Sequence, residues 1–290
     1  MARDTRPVEQ LTIFDGIVLI CGMVIGAGIF KAPSIVAANT SSGAQFLFAW
    51  VLGGAVSLCG ALVYAELAAR YPETGGEYAF LARGWGKGVA FVFAWARMTV
   101  IQTGAIAAVS FVFGDYASEI YRLGGKSSAI YAALGVIGLT ALNVAGTLES
   151  KLLQRLMQVA LFAGLIYLGV AGLVAGSPPP AEAASGGGSF GLAMIFVLLT
   201  YGGWNEAAYL AGEVRDARRN MTRVLVGGIL TVTVLYLLVN IGYLAALGLP
   251  GMRASKAVAA DVVRALSGDK GAVLLAIIVC LAALTTMNAA

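Results

Sequence analysis

The chain has 290 residues, 59% of them hydrophobic and 12% charged, about half the charged fraction of a soluble domain, which sets aside a soluble globular enzyme and describes a polytopic membrane protein. Its net charge of +4 has no basic, aromatic-bearing face to sit on, so lipid rather than nucleic acid is the expected surrounding. Histidine is absent, which excludes His triads, His metal sites and His proton relays, while Cys21, Cys59 and Cys280 lie in apolar runs without CxxC spacing and read as free packed thiols.

Residues 1–11 are polar, with Arg3 and Arg6, and form an N-terminus expected in the cytoplasm. The apolar run behind them is too long for a signal peptide and lacks a cleavage pattern. At about 20 apolar residues per crossing, eight spans follow: 12–38, 44–69, 87–115, 128–147, 152–175, 190–212, 224–247 and 271–290. Span one carries Gly22, Gly26 and Gly28 at its middle. Glycine costs about 1 kcal/mol against alanine inside a helix, and lipid offers no water to the backbone groups that a break would free. Either these glycines let a neighbouring helix pack closely, or the helix unwinds around a ligand.

Residues 176–189, rich in Pro, Gly, Ala and Ser, read as an extracytoplasmic loop. Span six then repeats the oddity of span one, with Tyr201-Gly202-Gly203-Trp204-Asn205-Glu206 inside an apolar stretch. Interruptions at corresponding places in two spans separated by four others suggest two repeats with the broken helix first in each, and such pairs point to a transport site. The expected organisation is therefore a first five-helix repeat over 12–175 and an incomplete second one, helices six to eight, over 190–290. Span eight reaches Ala290 with no polar segment behind it, which reads as a chain cut off within or just after a helix. Eleven Lys and Arg fall on the N-terminal side of the membrane against six on the other, which favours the N-terminus inside.

Several motifs together resemble the amino acid permease branch of the amino acid-polyamine-organocation superfamily. They are Gly26-Ala27-Gly28-Ile29-Phe30; Tyr64-Ala65-Glu66-Leu67 with Tyr71 to Tyr78; Asn143 to Gln154; and Tyr201 to Trp204 running on to Glu213 and the basic segment ending at Asn220. The resemblance covers the whole chain in the family's order, where members usually have about twelve helices. It implies an all-α leucine-transporter fold of inverted five-plus-five repeats, with helices one and six broken at the bilayer midplane around the substrate. Peptide amides around Ala27, Gly28 and Ile29 would meet a carboxylate at a helix N-terminus. Carbonyls around Val24, Ile25, Thr200 and Tyr201 would meet an ammonium group. Gly26, Gly202 and Gly203 leave room in the cavity, Leu199 stands where many relatives carry an aromatic gate, and the neutral Asn205 argues against a cationic amino acid.

No organic cofactor is implied, and the coupling ion stays open between sodium and a proton. The pair Thr285-Thr286, with carbonyls of Gly22, Ile25 and Ala282, resembles the second sodium site of that fold; alternatively both hydroxyls bond back to their own helix. Leu165 stands where proton-coupled or uncoupled relatives carry a lysine, which leaves room for sodium. Lys31 and Arg97 are charges inside spans, costly unless paired or wet. Lys31 is expected to reach a watery vestibule, and Arg97 to pair with Glu206, bond inner-pathway carbonyls or snorkel. Glu66, Arg70, Arg97 and Glu213 form a candidate inner gate, set against a solvated basic loop. The function implied is secondary amino acid transport by alternating access. The alternatives are a proton symporter or exchanger without sodium, and a transport-inactive sensor; enzyme chemistry finds no nucleophile, base or metal cluster at one depth.

Overall fold

A backbone in lipid must satisfy its own polar groups, and every regular element among the described residues is helical. The computed structural model of the chain describes residues 12–71, 75–144, 151–174, 188–206 and 217–289, with backbone alone at 151–158, 217–218 and 289. The Thr12 hydroxyl accepts from the Asp15 amide at 3.2 Å and the Asp15 carboxylate accepts from the Thr12 amide at 3.1 Å, a capping box that starts α1 (Ile13–Val24). α2 (Gly28–Ala38), α3 (Gly43–Arg70), α4 (Gly76–Trp85) and α5 (Lys87–Ala96) follow. A π-helical stretch, Arg97–Ile101, leads from α5 into α6 (Gln102–Ile120), and together they make one apolar span. The remaining elements are α7 (Ser127–Val144), α8 (Lys151–Val174), α9 (Phe190–Tyr201), α10 (Ala217–Ala254) and α11 (Val258–Ala289).

Eight spans were expected; among the described residues five helices, or six with the bent pair α1 and α2 taken as one, are long and apolar enough to cross a membrane. The helix that opens span six ends at Tyr201, and the rest of that span from 207 lies outside the described residues. The stretch between spans seven and eight is helical rather than a loop, set off by Gly248 (φ 61°) and Gly268 (φ 68°), whose left-handed φ suits glycine. Its charges mask an amphipathic pattern in the sequence: Met252, Val258, Val262 and Val263 are all buried.

The chain divides into two compact units, one of Met1–Ile25, Leu52–Ile101 and Tyr201–Val234, the other of Gly26–Val51, Gln102–Thr200 and Leu235–Ala290. In the first unit, α1 packs on the start of α10 through glycines. A Cβ on Gly16 would lie 2.7 Å from Val224, and one on Gly227 or Gly228 would lie 2.7 or 2.6 Å from Ile17 or Ile20. This is the close approach that small residues allow in membranes. In the second unit, α8 meets α10 the same way at Gly172 and Gly242, while a Cβ on Gly114 of α6 would strike the Ser128 carbonyl of α7 at 2.1 Å. There α11 packs on α2, α6, α7 and α8, and Trp50, Tyr116, Tyr236 and Tyr243 are fully buried.

Candidate functional site

The first interruption is real. α1 ends at Val24, Ile25 is extended (φ −79°, ψ 94°), and its amide makes the last bond of that helix, to the Cys21 carbonyl at 2.8 Å. The next helix begins at Gly28 with Ala27 as its N-cap, and no side chain caps it. An α-helix leaves its first amides without an intrahelical acceptor. Here Ala27 and Ile29 are fully buried, so a bare helix N-terminus sits inside a membrane span. Pro33, within the same helix, has no N–H to give the Ile29 carbonyl. A Cβ on Gly28 would meet Thr200 at 3.4 Å, and one on Gly26 would meet Thr286 at 3.6 Å, so in the second unit both glycines sit beside residues of the predicted sites.

The second interruption follows Tyr201, where Gly202 and Gly203 turn the chain into a short 3₁₀ segment, Trp204 to Glu206. Gly203 has φ +105°, and a Cβ there would lie 2.5 Å from the Met23 carbonyl oxygen; in the first unit this turn packs on the end of α1. The Thr200 carbonyl, expected to meet an ammonium, accepts from the Tyr236 hydroxyl at 3.1 Å, and its second lone pair stays available. Leu199, the expected gate position, is 69% exposed, whereas Tyr201 is fully buried.

Among the predicted ion ligands, Thr285 and Thr286 donate to the Leu281 and Ala282 carbonyls at 2.9 Å. That is the back-bonding alternative, although a hydroxyl that donates its proton keeps lone pairs for a cation. Gly22 and Ile25 belong to the first unit and Ala282, Thr285 and Thr286 to the second. Leu165 is fully buried.

The intramembrane charges are paired. Arg97 opens the π-helical stretch, and its guanidinium bonds Glu77 on one side and Glu206 on the other. Of the readings offered by the sequence, pairing with Glu206 is the one observed; Glu77 is a second partner that the sequence does not single out. The same Glu77 oxygen accepts from the Tyr64 hydroxyl at 2.7 Å and from the Asn205 amide nitrogen at 3.0 Å. Trp204 stands edge-on to Tyr64, ring centroids 5.2 Å apart. Lys31, expected to reach a watery vestibule, pairs with Asp115 at 2.6 Å and bonds the Lys256 carbonyl at 3.2 Å, while Ser128 donates to the other Asp115 oxygen at 2.7 Å. A lone acid near the end of span three, matching a lone lysine in span one, was the available signal. Arg253 bonds the Ala37 and Thr40 carbonyls at 2.9 and 2.6 Å, at the C-terminal end of α2, where a cation suits the helix dipole. Of the expected gate, Glu66 and Arg70 form an exposed pair within α3, a type worth about 0.3–0.5 kcal/mol, and Glu213 lies outside the described residues.

Comparison with known proteins agrees with this architecture. The serine/threonine exchanger SteT of Bacillus subtilis (strain 168) is 29% identical over 239 residues, 81% of this chain and 55% of that protein. The b(0,+)-type amino acid transporter 1 of Rattus norvegicus is 31% identical over 269 residues, 89% of this chain and 55% of that protein. The human cystine/glutamate transporter is 27% identical over 273 residues, 90% and 54% of the two chains. The chain thus spans about half the length of the curated relatives it matches. A family model described as amino acid permease matches residues 11–290. With its apolar helices of spanning length, the chain is an integral membrane protein that belongs to the amino acid permease family of the amino acid-polyamine-organocation superfamily.

Proposed function

We propose that this chain belongs to a secondary active transporter that moves amino acids across the cytoplasmic membrane by alternating access, with its N-terminus inside. The observation that carries the proposal is the helix N-terminus at Gly28, which no side chain caps, between the buried Ala27 and Ile29. Amides buried without acceptors cost about 1–3 kcal/mol each, and a carboxylate at a helix N-terminus gains up to about 2 kcal/mol. A substrate carboxylate meets this demand, while carbonyls of Val24, Ile25, Thr200 and Tyr201 take its ammonium. Gly26, Gly202 and Gly203 leave space for the side chain, Leu199 borders it, and Asn205 supplies a neutral polar contact.

The extended Ile25 between α1 and α2 and the Gly202–Gly203 turn after α9 are out of helical register, and such backbone can absorb changes of dihedral angle. Arg97 with Glu77 and Glu206 acts as the inner-pathway lock, joined by Glu66, Arg70 and Glu213. Sodium is the coupling ion of this proposal, held by Thr285, Thr286 and carbonyls of Gly22, Ile25 and Ala282. The buried, uncharged Leu165 supports that choice over a built-in cation. The relatives' names support amino acids as the cargo.

Counterflow of labelled amino acids into proteoliposomes tests the reading. Saturable uptake stimulated by unlabelled amino acid on the far side is expected. Binding without flux would identify a sensor instead, and neither binding nor flux would end the proposal.

A further inference from the structure

The geometry points to Glu77 as a positioning residue that fixes which end of the Asn205 amide a substrate meets, and thereby to a preference for amino acids whose neutral side chain donates a hydrogen bond. The inference rests on Asn205 facing the substrate, as proposed above, and adds the substrate class.

Glu77 is 8% exposed and pairs with Arg97 through one carboxylate oxygen, and a carboxylate in an ion pair offers only acceptors. The Asn205 amide must therefore turn its nitrogen towards Glu77, as it does at 3.0 Å, whichever way the two ends of an amide would otherwise be assigned. Nothing in the surroundings lets the pair relax. The Tyr64 hydroxyl shares the same oxygen at 2.7 Å, Trp204 stacks edge-on against Tyr64, and Arg97 is held from its far side by Glu206. A Cβ on Gly60 would lie 2.5 Å from the Trp204 ring, so that ring too is tightly packed.

With its nitrogen committed, Asn205 keeps an oxygen that accepts no hydrogen bond from any described residue. A hydroxyl or carboxamide side chain supplies the donor this oxygen lacks. An aliphatic side chain of the same shape displaces water from it and gives nothing back, and sites built to bond a polar group discriminate against analogues without it. Among the described residues Glu77 and Glu206 share the Arg97 cation, an arrangement that does not favour an acidic side chain.

The test compares isosteric pairs in proteoliposome counterflow: serine against alanine, and threonine against valine. The wild-type protein is expected to favour the hydroxyl member by roughly three- to tenfold in kcat/KM. A hydroxyl accepts as well as donates, so the orientation of the Asn205 amide is read from the ratio of serine to O-methylserine, whose side-chain oxygen only accepts: this ratio should fall in Glu77→Gln, where the new amide can donate to the Asn205 oxygen and let that side chain turn its nitrogen to the substrate, and hold in Glu77→Asp, which keeps an acceptor-only partner. The ratio is read within each variant, so a general loss of folded carrier cancels, which a merely structural role for Glu77 would predict to be the only change. If Glu77→Gln does not fold, Asn205→Ala, which removes the acceptor, should bring the serine/alanine and threonine/valine ratios towards one. Saturable uptake with no discrimination in the wild type, a serine/O-methylserine ratio unchanged in Glu77→Gln, or a hydroxyl preference unchanged in Asn205→Ala overturns this inference alone. No saturable uptake of any of the four overturns the transport reading and this inference with it.

Discussion

Replacing Gly203 with alanine probes the second interruption directly. Gly203 holds φ +105°, and its missing Cβ would sit 2.5 Å from the Met23 carbonyl oxygen and 3.0 Å from the carbonyl carbon. Both penalties fall on backbone, which cannot move aside as the end of a side chain can. A non-glycine residue in that conformation costs about 1–3 kcal/mol, and overpacking costs about 1–3 kcal/mol more, so Gly203→Ala should destabilise the protein by about 2–6 kcal/mol. By the usual scaling this lowers the melting temperature by roughly 5–15 °C, measurable by thermal unfolding of the purified protein in detergent. Gly138→Ala in α7 is the control, because a Cβ there meets nothing within 4 Å; it should leave stability unchanged or raise it by up to about 1 kcal/mol. If Gly203→Ala melts within about 2 °C of the wild type, the turn after Tyr201 does not pack on α1 as described and the broken-helix argument loses its second member.

Three further outcomes follow from the same structure. Arg97→Met leaves Glu77 and Glu206 without their cation, and with Glu77 buried and Glu206 half-exposed it should cost about 1–4 kcal/mol; adding Glu77→Gln should recover part of that loss, and strictly additive losses in the double mutant would show that the two are not coupled. Gly28→Val puts branched methyls onto Thr200, which a bare Cβ already meets at 3.4 Å. It should abolish amino acid-induced thermal stabilisation, expected at about 2.7 kcal/mol at hundredfold excess over Kd for the unmodified protein, and a ligand shift that persists would remove Gly28 from the binding site. Counterflow in choline instead of sodium should fall at least tenfold, as should counterflow by Thr286→Val in sodium; equal rates in both salts would exclude sodium as the coupling ion.

The sequence by itself determined the membrane class and the two broken helices. Glycines at 22, 26 and 28 and at 202 and 203 weaken a helix through local backbone entropy, so an interruption can be read from composition within one turn, and the extended Ile25 and the end of α9 at Tyr201 fall where the residues point. The helices between Gly248 and Gly268 were hidden because charged residues at a membrane surface look like a loop until their apolar face is seen against its partners. Only the tertiary structure decided what neutralises the buried charges. Arg97 meets Glu206 across 109 residues, Lys31 meets Asp115 across 84, and Tyr236 reaches the Thr200 carbonyl across 36. Local sequence fixes what a helix can be, through dihedral preference and apolar period. Which carboxylate stands opposite a given cation depends on how helices distant in the chain dock, and packing of small residues against large ones sets that docking.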